Sequence, residues 1–464
     1  MMTSAKNWFY PAVYLVFVAV SLPVNGLLAQ TPFATNWPNF RGPTFNGTSD
    51  TATPPTEWAE NQNLKWKIEL PGAGNNSSPI VWGDQVIVLD AIPSPPTGQA
   101  GSEAEDTAKA RGKNRGGRRG RGGRGRNRVP QTPTKFVTIC FDRNSGEKIW
   151  EQIATESTPH QGTHPDHSFA SASPVTDGRH IYSHFGSRGL YCYDMDGSLQ
   201  WKRDDFGQMT TRNGFGEGSS PCLYQDVLIV PWDHEGQSWV MAIDALTGKT
   251  KWKQERDEPS NWVTPVVLKR DGKEIVVTGG ENFARGYDLA TGKEIWRSSG
   301  FTSRPISSPV VHQDLVLLAS SRQGFYLSAL NVNGQGNLND NGGIKWSTET
   351  AAPDVPSMMA SAGRVYHMKG STNILYCLDA NTGDEIFSKR LPGIRGVYAS
   401  IVAADGKVII VGRDGNAVVL QDSDRFQVLA ENQLDDAIDA TPALAGKQMF
   451  LRGKKYLYCL ENGS

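Results

Sequence analysis

Charged and aromatic side chains recur at one position of this sequence, three to five residues before a repeated motif of a small residue and Pro. They are Glu217, Trp262, Arg304, Asp354, Tyr398 and Asp439. Equivalent positions of a repeat tolerate small neutral residues, so charges there indicate a polar pocket rather than a solvated rim. Trp262 and Tyr398 add faces on which a ligand can stack. The pattern predicts a binding site.

A second group of polar residues lies in "HQGTHPDH", which holds His160, His164 and His167. Imidazole is a common metal ligand, and a metal site needs three or four such donors. The spacing matches no known metal signature, and Pro165 prevents a helix. These histidines are therefore metal candidates by residue type alone.

Further titratable and basic residues lie in short loop segments. They are Asp233, His234 and Glu235 in "WDHEG", with Arg188, Arg212 and Arg413 in Gly-containing turns. With Glu217, the first group offers acid and base groups for catalysis. The arginines suit an anionic ligand, although exposed loop arginines are the simpler interpretation of each.

An internal repeat must position all these side chains. Its small-residue–Pro motif occurs at Pro79, Pro174, Pro221, Pro265, Pro309 and Pro442, with degenerate copies at Met358 and Ile401. The copies are 41 to 49 residues apart, except for 95 residues between the first two. Each copy contains four short apolar strands separated by turns. This period and content are typical of a propeller blade, so we expect an all-β, eight-bladed β-propeller.

The two ends of the repeat region complement each other. The last copy stops at "YLYCLENGS" without an outer strand, and "LKWKIELPG" supplies one near the N-terminus. We expect residues 64–70 to complete the last blade and close the ring. The predicted organisation is a signal peptide or membrane anchor at 1–29, an irregular segment at 30–63 and the propeller at 64–464. A disordered Gly/Arg-rich insertion is expected at 93–134, within blade 1.

The N-terminus has the layout of an export signal. Lys6 precedes an apolar run interrupted by Pro11, and small residues follow near Ala29. The alternative is an uncleaved membrane anchor, which would be the only membrane contact. A cleaved signal and an uncleaved anchor both predict a periplasmic or extracellular protein. The five cysteines fall mostly at one repeat position and are expected to be buried free thiols.

The segment 111–128 has nine basic residues and seven glycines, whereas the net charge of the whole chain is −1. Glycine–arginine segments bind RNA. Export and the absence of aromatic residues in the segment argue against RNA. A polyanion is the favoured target, and a tolerated insertion is the alternative.

The motif A-x-D-x-x-T-G-K-x-x-W, formed by residues 242–252, resembles the tryptophan-docking repeat of the PQQ-like (pyrrolo-quinoline quinone) β-propellers in the quinoprotein alcohol dehydrogenase-like superfamily. The resemblance covers residue 64 to the end and implies structural docking roles for Trp66, Trp150, Trp201, Trp252, Trp296 and Trp346. The architecture is also similar to that of the outer membrane protein assembly factor BamB, which binds proteins and no quinone. The resemblance to the quinoprotein superfamily makes PQQ with calcium a candidate cofactor. However, the chain has no adjacent Cys pair, and no calcium ligands are evident.

Two functions follow from these observations. The favoured one is a non-enzymatic binding or scaffold module that holds a protein partner, a glycan or a small ligand at the central funnel. The alternative is a PQQ-dependent oxidoreductase acting on an alcohol or a sugar.

Overall fold

The computed structural model describes residues 33–94 and 129–464. Eight antiparallel sheets, each with four main strands, form an eight-bladed β-propeller, which confirms the predicted fold class. The predicted signal segment at 1–29 and the basic segment at 111–128 lie outside the described residues. None of the helices in the described residues has the length and apolarity that a membrane crossing requires.

The first four blades follow one another along the chain, and each begins with its innermost strand. Their strands are Ile80–Trp82, Gln85–Pro93, Thr134–Asp142 and Lys148–Ser157 in blade 1; Val175–Thr176, His180–His184, Leu190–Asp194 and Leu199–Arg203 in blade 2; Cys222–Tyr224, Val227–Trp232, Ser238–Asp244 and Thr250–Arg256 in blade 3; Val266–Arg270, Lys273–Thr278, Ala284–Asp288 and Glu294–Ser298 in blade 4. The 3-10 helices Gly186–Arg188 and Arg212–Gly214 lie in the loops of blades 2 and 3.

The last four blades continue in the same order. Their strands are Val310–His312, Leu315–Ser320, Tyr326–Asn331 and Ile344–Thr348 in blade 5; Met359–Ser361, Arg364–Met368, Ile374–Asp379 and Glu385–Arg390 in blade 6; Val402–Ala404, Lys407–Val411, Asn416–Gln421 and Val428–Gln433 in blade 7; Ala443–Ala445, Gln448–Arg452, Tyr456–Glu461 and Leu64–Glu69 in blade 8. Two short strands, Thr48–Ser49 and Gly336–Asn337, pair in parallel with blades 7 and 4.

The middle strands are buried on both faces because each blade packs between two neighbours. Every residue of Val227–Trp232 is buried, for example. This explains the continuous apolar runs in the sequence, since only a strand covered on one face alternates apolar and polar residues. Each buried aliphatic side chain contributes about 1.5–3 kcal/mol. All five cysteines are buried and unpaired within these sheets.

Blade 8 combines the two ends of the described chain. The N-terminal strand Leu64–Glu69 pairs antiparallel with Tyr456–Glu461, and Trp66 lies opposite Cys459. The seam to blade 1 carries a fully buried ion pair in which Arg452 Nη2 lies 2.9 Å from Asp90 Oδ1. Breaking such a pair costs several kcal/mol because one charge is left buried alone.

Five of the six predicted docking tryptophans link neighbouring blades in the same way. Each indole N–H donates to a backbone carbonyl of the following blade, as Trp201 does to Ala245 at 3.0 Å. The others are Trp66, Trp150, Trp252 and Trp346. The ring of Trp201 also lies against Gly248, where φ is +70° and a Cβ would meet the indole at 2.8 Å. The turn therefore requires glycine at this position.

Trp296 does not dock in this way. It is fully buried, lies across from Gly286 of its own blade, and its indole nitrogen has no partner among the described residues. The physical reason is the long loop that enters the outer strand of blade 5. Its strand Gly336–Asn337 pairs with the outer strand of blade 4, at Trp296, and replaces the short turn that docks the other tryptophans.

The segment 33–58 crosses one end of the central funnel and joins several blades. Trp37 exchanges backbone hydrogen bonds with Val81 of blade 1, and Asn46 bonds both backbone groups of Val311 in blade 5. The Arg41 guanidinium is fully buried and donates to three carbonyls, those of Asn46, Met358 and Ile401. We call this side of the funnel the plugged end.

Candidate functional site

A closed ring of hydroxyl groups surrounds the funnel axis. In each blade, the residue two positions before the inner strand donates its backbone N–H to the side-chain hydroxyl of the equivalent residue in the next blade, at 2.9–3.2 Å. The members of this hydroxyl ring are Ser78, Ser173, Ser220, Thr264, Ser308, Ser357, Ser400 and Thr441. The ring closes because the Thr441 N–H donates to Ser78. The repeated small residue before Pro is thus a hydrogen-bonding residue, a role that our sequence analysis did not assign to it.

The hydroxyl ring borders a cavity of about 290 Å³ on the funnel axis. All eight members line it, and Phe40 closes it from the plugged end. The other side, the open mouth, is lined by residues that precede the ring in the chain, including Asn76, Trp262, Arg304, Tyr398 and Asp439. The cavity therefore has a hydroxyl floor and an aromatic and charged wall.

Two aromatic residues predicted as stacking faces lie on this wall. The Trp262 indole N–H donates to the Gly216 carbonyl at 2.8 Å, which fixes the ring orientation. The guanidinium of Arg413 lies 3.7 Å from the centre of the Tyr398 ring and covers one of its faces. Trp262 is consequently the better stacking surface for a ligand.

The two carboxylates of the cavity wall are neutralised by cations. Arg413 lies 2.9 Å from Asp166 and 2.8 Å from Asp439, and Lys454 lies 3.0 Å from Asp439. Tyr398 donates its hydroxyl to Asp166 at 3.3 Å. The hydrogen bond from Arg413 lowers the pKa of Asp166. Both carboxylates are therefore engaged by cationic side chains.

Arg304 differs from the other cations of the wall. Its guanidinium forms no ion pair with a described carboxylate and lies over the Phe215 ring at 5.3 Å. Its backbone has φ of 58°, and its N–H donates to Glu281. A non-glycine residue in this region costs about 1–2 kcal/mol. The neighbouring Arg322 is paired with Asp354 at 2.6 Å. Asp354 itself lies behind the wall, and burial raises its pKa.

His164 and His167 line the cavity, whereas His160 does not. His167 Nδ1 donates to the Ser168 carbonyl at 2.7 Å, so Nε2 is left as an acceptor. Burial lowers the pKa of His167 to about 4, so it is neutral at pH 7. His164 lies 3.8 Å from Asp166.

His160 lies outside the cavity and belongs to a separate polar cluster. His160 Nδ1 accepts from Arg188 at 2.9 Å, and Nε2 faces the Met209 carbonyl. Glu217 also lies in this cluster, where it accepts from the backbone and hydroxyl of Ser187. The structure therefore brings none of Glu217, Arg188 and His160 to the central cavity.

The "WDHEG" residues serve the packing of blade 3. Asp233 is buried, where it accepts from Arg256 at 2.9 Å and from Asn261 at 2.6 Å. Both ring nitrogens of His234 face backbone groups.

Glu235 pairs with Arg212, which also bonds Glu281. The expected acid–base group with Glu217 is thus not assembled.

The predicted three-histidine metal site is not formed, because His160 turns away to Arg188. In residues 33–94 and 129–464, no three or more His, Cys, Asp or Glu side chains are grouped so that they could hold a metal ion.

The fold and cavity define an eight-bladed propeller with a ligand-sized funnel. The family model described as "Outer membrane protein assembly factor BamB" matches residues 135–389. This match spans more than half of the chain, which therefore belongs to that family of PQQ-like propellers.

Solved structures with a similar fold include two dehydrogenases. The quinohemoprotein alcohol dehydrogenase from Comamonas testosteroni has 11% identity and a TM-score of 0.60, covering 93% of this chain and 81% of that chain. A europium-containing methanol dehydrogenase has 12% identity and a TM-score of 0.57, covering 90% and 89%. BamB from Moraxella catarrhalis has 13% identity and a TM-score of 0.49, covering 70% and 93%. Comparison with curated proteins gave no match.

The residues of the cavity do not fit a calcium-bound quinone. Calcium takes six to eight oxygen ligands, most of them carboxylates and carbonyls. The wall carboxylates Asp166 and Asp439 are already bound by Arg413 and Lys454. The likeness to dehydrogenases at these identities concerns the fold, and fold alone does not set the function.

Proposed function

We propose that this protein is a binding propeller that takes a small ligand in its central cavity from the open mouth. The observation that carries the proposal is the cavity of about 290 Å³ with a complete hydroxyl ring at its floor. This volume is close to the lower end of the roughly 300–1,000 Å³ found for small-molecule sites. It suits a small molecule better than a protein segment or an extended glycan.

The side chains of the wall support a ligand rather than a catalytic role. Acid–base catalysis needs a titratable group free to exchange a proton with the substrate. Asp166 and Asp439 are held by cations, His167 Nδ1 is bound to the Ser168 carbonyl, and His164 Nδ1 accepts the Asp166 N–H. Trp262 and Arg304 offer stacking and charge. We therefore place ligand binding above the dehydrogenase alternative, and we expect added calcium to leave any PQQ binding unchanged.

A cavity-filling variant tests the proposal. Ile306 lines the cavity, and Ile149 is exposed on the outer strand of blade 1, so Ile149→Trp is the matched control for Ile306→Trp. The full chain is screened by ligand-observed NMR against a panel of sugars, organic acids, amino acids and PQQ. We expect at least one compound to bind the wild type and Ile149→Trp but not Ile306→Trp. The proposal fails if no compound binds, or if Ile306→Trp changes nothing.

The family description favours a second role, binding of a protein partner in the cell envelope. The export-like N-terminus supports a location outside the cytoplasm, and segment 111–128 would then meet envelope polyanions. Fusion of residues 1–35 to a reporter enzyme active only after export tests the location. A cytoplasmic reporter would contradict it.

A further inference from the structure

We propose that the ligand of the central cavity is a sugar-sized polyol with one anionic group, either a carboxylate or a phosphate. The anion binds Arg304, and the hydroxyl groups bind the hydroxyl ring. This inference rests on the proposed function, because it names the chemistry of the molecule that occupies the same cavity.

Arg304 carries the anionic part of the argument. It lines the cavity, and its guanidinium is not ion-paired with any carboxylate of the described chain, whereas Arg322 beside it is paired with Asp354. Glu281 contacts the backbone N–H of Arg304 and the side chain of Arg212. A planar guanidinium with free N–H groups matches a carboxylate or a phosphate oxygen pair.

The backbone of Arg304 gives independent support. Five of the ten non-glycine residues with positive φ occupy the same tight turn between the first and second strands of their blades: Gln225, Asp271, Gln313, Ala362 and Asp405. Arg304 lies outside that turn, on the cavity wall. Strained residues of this kind are concentrated at ligand sites, where the surrounding structure holds them in place. The positive φ of Arg304 therefore closes none of these hairpins.

The hydroxyl ring carries the polyol part. Each member is at most 8% exposed and accepts one backbone N–H. The described hydrogen bonds give none of the eight hydroxyl protons an acceptor. Each hydroxyl therefore keeps one donor and one lone pair, and all eight residues line the cavity. Buried donors without partners cost free energy, and a ligand hydroxyl, which is also both donor and acceptor, satisfies them.

The wall between these two features suits a sugar ring. Trp262 presents a fixed aromatic face, and His167, which lines the cavity, keeps Nε2 as an acceptor. Sugar C–H groups pack on aromatic faces, and a ligand hydroxyl can donate to a neutral imidazole.

Calorimetry on the full chain tests the inference with four probes: D-glucuronate, D-glucose 6-phosphate, D-glucose and acetate. Arg304→Gln removes the charge, and Arg395→Gln, at an arginine whose side chain is 90% exposed, is the control. We expect one anionic sugar to bind at least tenfold more tightly than glucose and acetate. Arg304→Gln should remove that advantage and leave glucose affinity unchanged. The preferred anionic sugar distinguishes carboxylate from phosphate.

The outcomes separate this inference from the function it rests on. Equal affinity for glucose and both anionic sugars, or no effect of Arg304→Gln, overturns the anionic assignment. Binding of a different compound that is abolished by Ile306→Trp preserves the proposed function and overturns the inference. If no compound binds at all, both fail. Thermal melts of each variant show that a lost signal is not a lost fold.

Discussion

The two ends of the central funnel are built on the same eight strands, but they use polar groups in opposite ways. At the plugged end, Arg41 is fully buried and gives its N–H groups to three backbone carbonyls. At the open mouth, the Arg304 guanidinium donates to no acceptor of the described chain, and the hydroxyl ring keeps unused donors.

The difference separates structural polar groups from functional ones. Burial lowers the pKa of Arg41 to about 9, so it stays charged at pH 7 and joins the N-terminal segment to blades 6 and 7. A buried polar residue that donates to several backbone carbonyls, as the two terminal nitrogens of Arg41 do, stabilises the fold. One with spare capacity inside a cavity is available to a ligand.

The largest expected effect is at the plugged end. Arg41→Met leaves the carbonyls of Asn46, Met358 and Ile401 without their donor. We expect the free energy of unfolding to fall by about 3 kcal/mol. Urea unfolding measures this, and Arg395→Met should change stability by less than about 0.5 kcal/mol. Equal stability of both variants would show that Arg41 does not secure the plug.

The next largest effect is a difference in stability between alanine variants of two adjacent serines. Ser308 accepts the Thr264 N–H at 3.2 Å, whereas the Ser307 hydroxyl is buried without a partner in the described chain. Ser308→Ala should cost about 1–2 kcal/mol, and Ser307→Ala should be neutral or slightly stabilising. Thermal melts of the pair measure this. A larger loss for Ser307→Ala would refute the structural role of the hydroxyl ring.

At the open mouth we expect a smaller change in the free energy of unfolding, and in the opposite direction. Arg304→Gly places the residue type that favours a φ of 58° at this position. Relief of the backbone strain is partly offset by the entropy that glycine adds to the unfolded chain, so we expect a net gain of about 0.5 kcal/mol in stability. We also expect at least a tenfold loss of affinity for the anionic ligand. Paired unfolding and binding measurements test this. A stability loss would mean that Arg304 supports the fold and is not strained for binding.

The smallest expected effect is a flat pH profile. The folded pKa of His167 is lowered to about 4 from 6.5, so the unfolded chain binds the proton first as pH falls. The contribution of His167 to stability is therefore full above pH 6.5 and is lost between pH 6.5 and about 4. In the folded protein, Nε2 stays an acceptor down to pH 5.5. The affinity for D-glucose, a probe without a charge of its own, should therefore not change from pH 8 to 5.5. Calorimetry across that range measures this; an affinity that rises with acid would contradict the acceptor role.

The sequence predicted the repeat better than the site. Local patterns of repeat period, turn residues and apolar strands were sufficient to predict the eight copies and five of the docking tryptophans. Trp262, Arg304, Tyr398 and Asp439 were found because every blade brings the same repeat position to the funnel. Glu217 shares that position, but its bonds to Ser187 direct it away from the cavity.

What the sequence did not reveal depends on contacts between distant segments. Phe40 reaches the cavity only because residues 33–58 cross the funnel, and no periodicity indicates that path. Arg413 covers Tyr398 and neutralises Asp166, which lies 247 residues away in the chain. The Ser or Thr before each inner strand was a readable signal for the hydroxyl ring, because a hydroxyl residue recurs at all eight positions.

The central claim is that the open mouth, and not the plugged end or a blade edge, is the binding site. A crystal structure of the full chain grown with the compound of highest affinity tests it most directly. We predict density on the funnel axis, within hydrogen-bond distance of the hydroxyl ring and of Arg304, with the plug in place. Density for the compound at any other surface, with the cavity holding only water, would contradict the account.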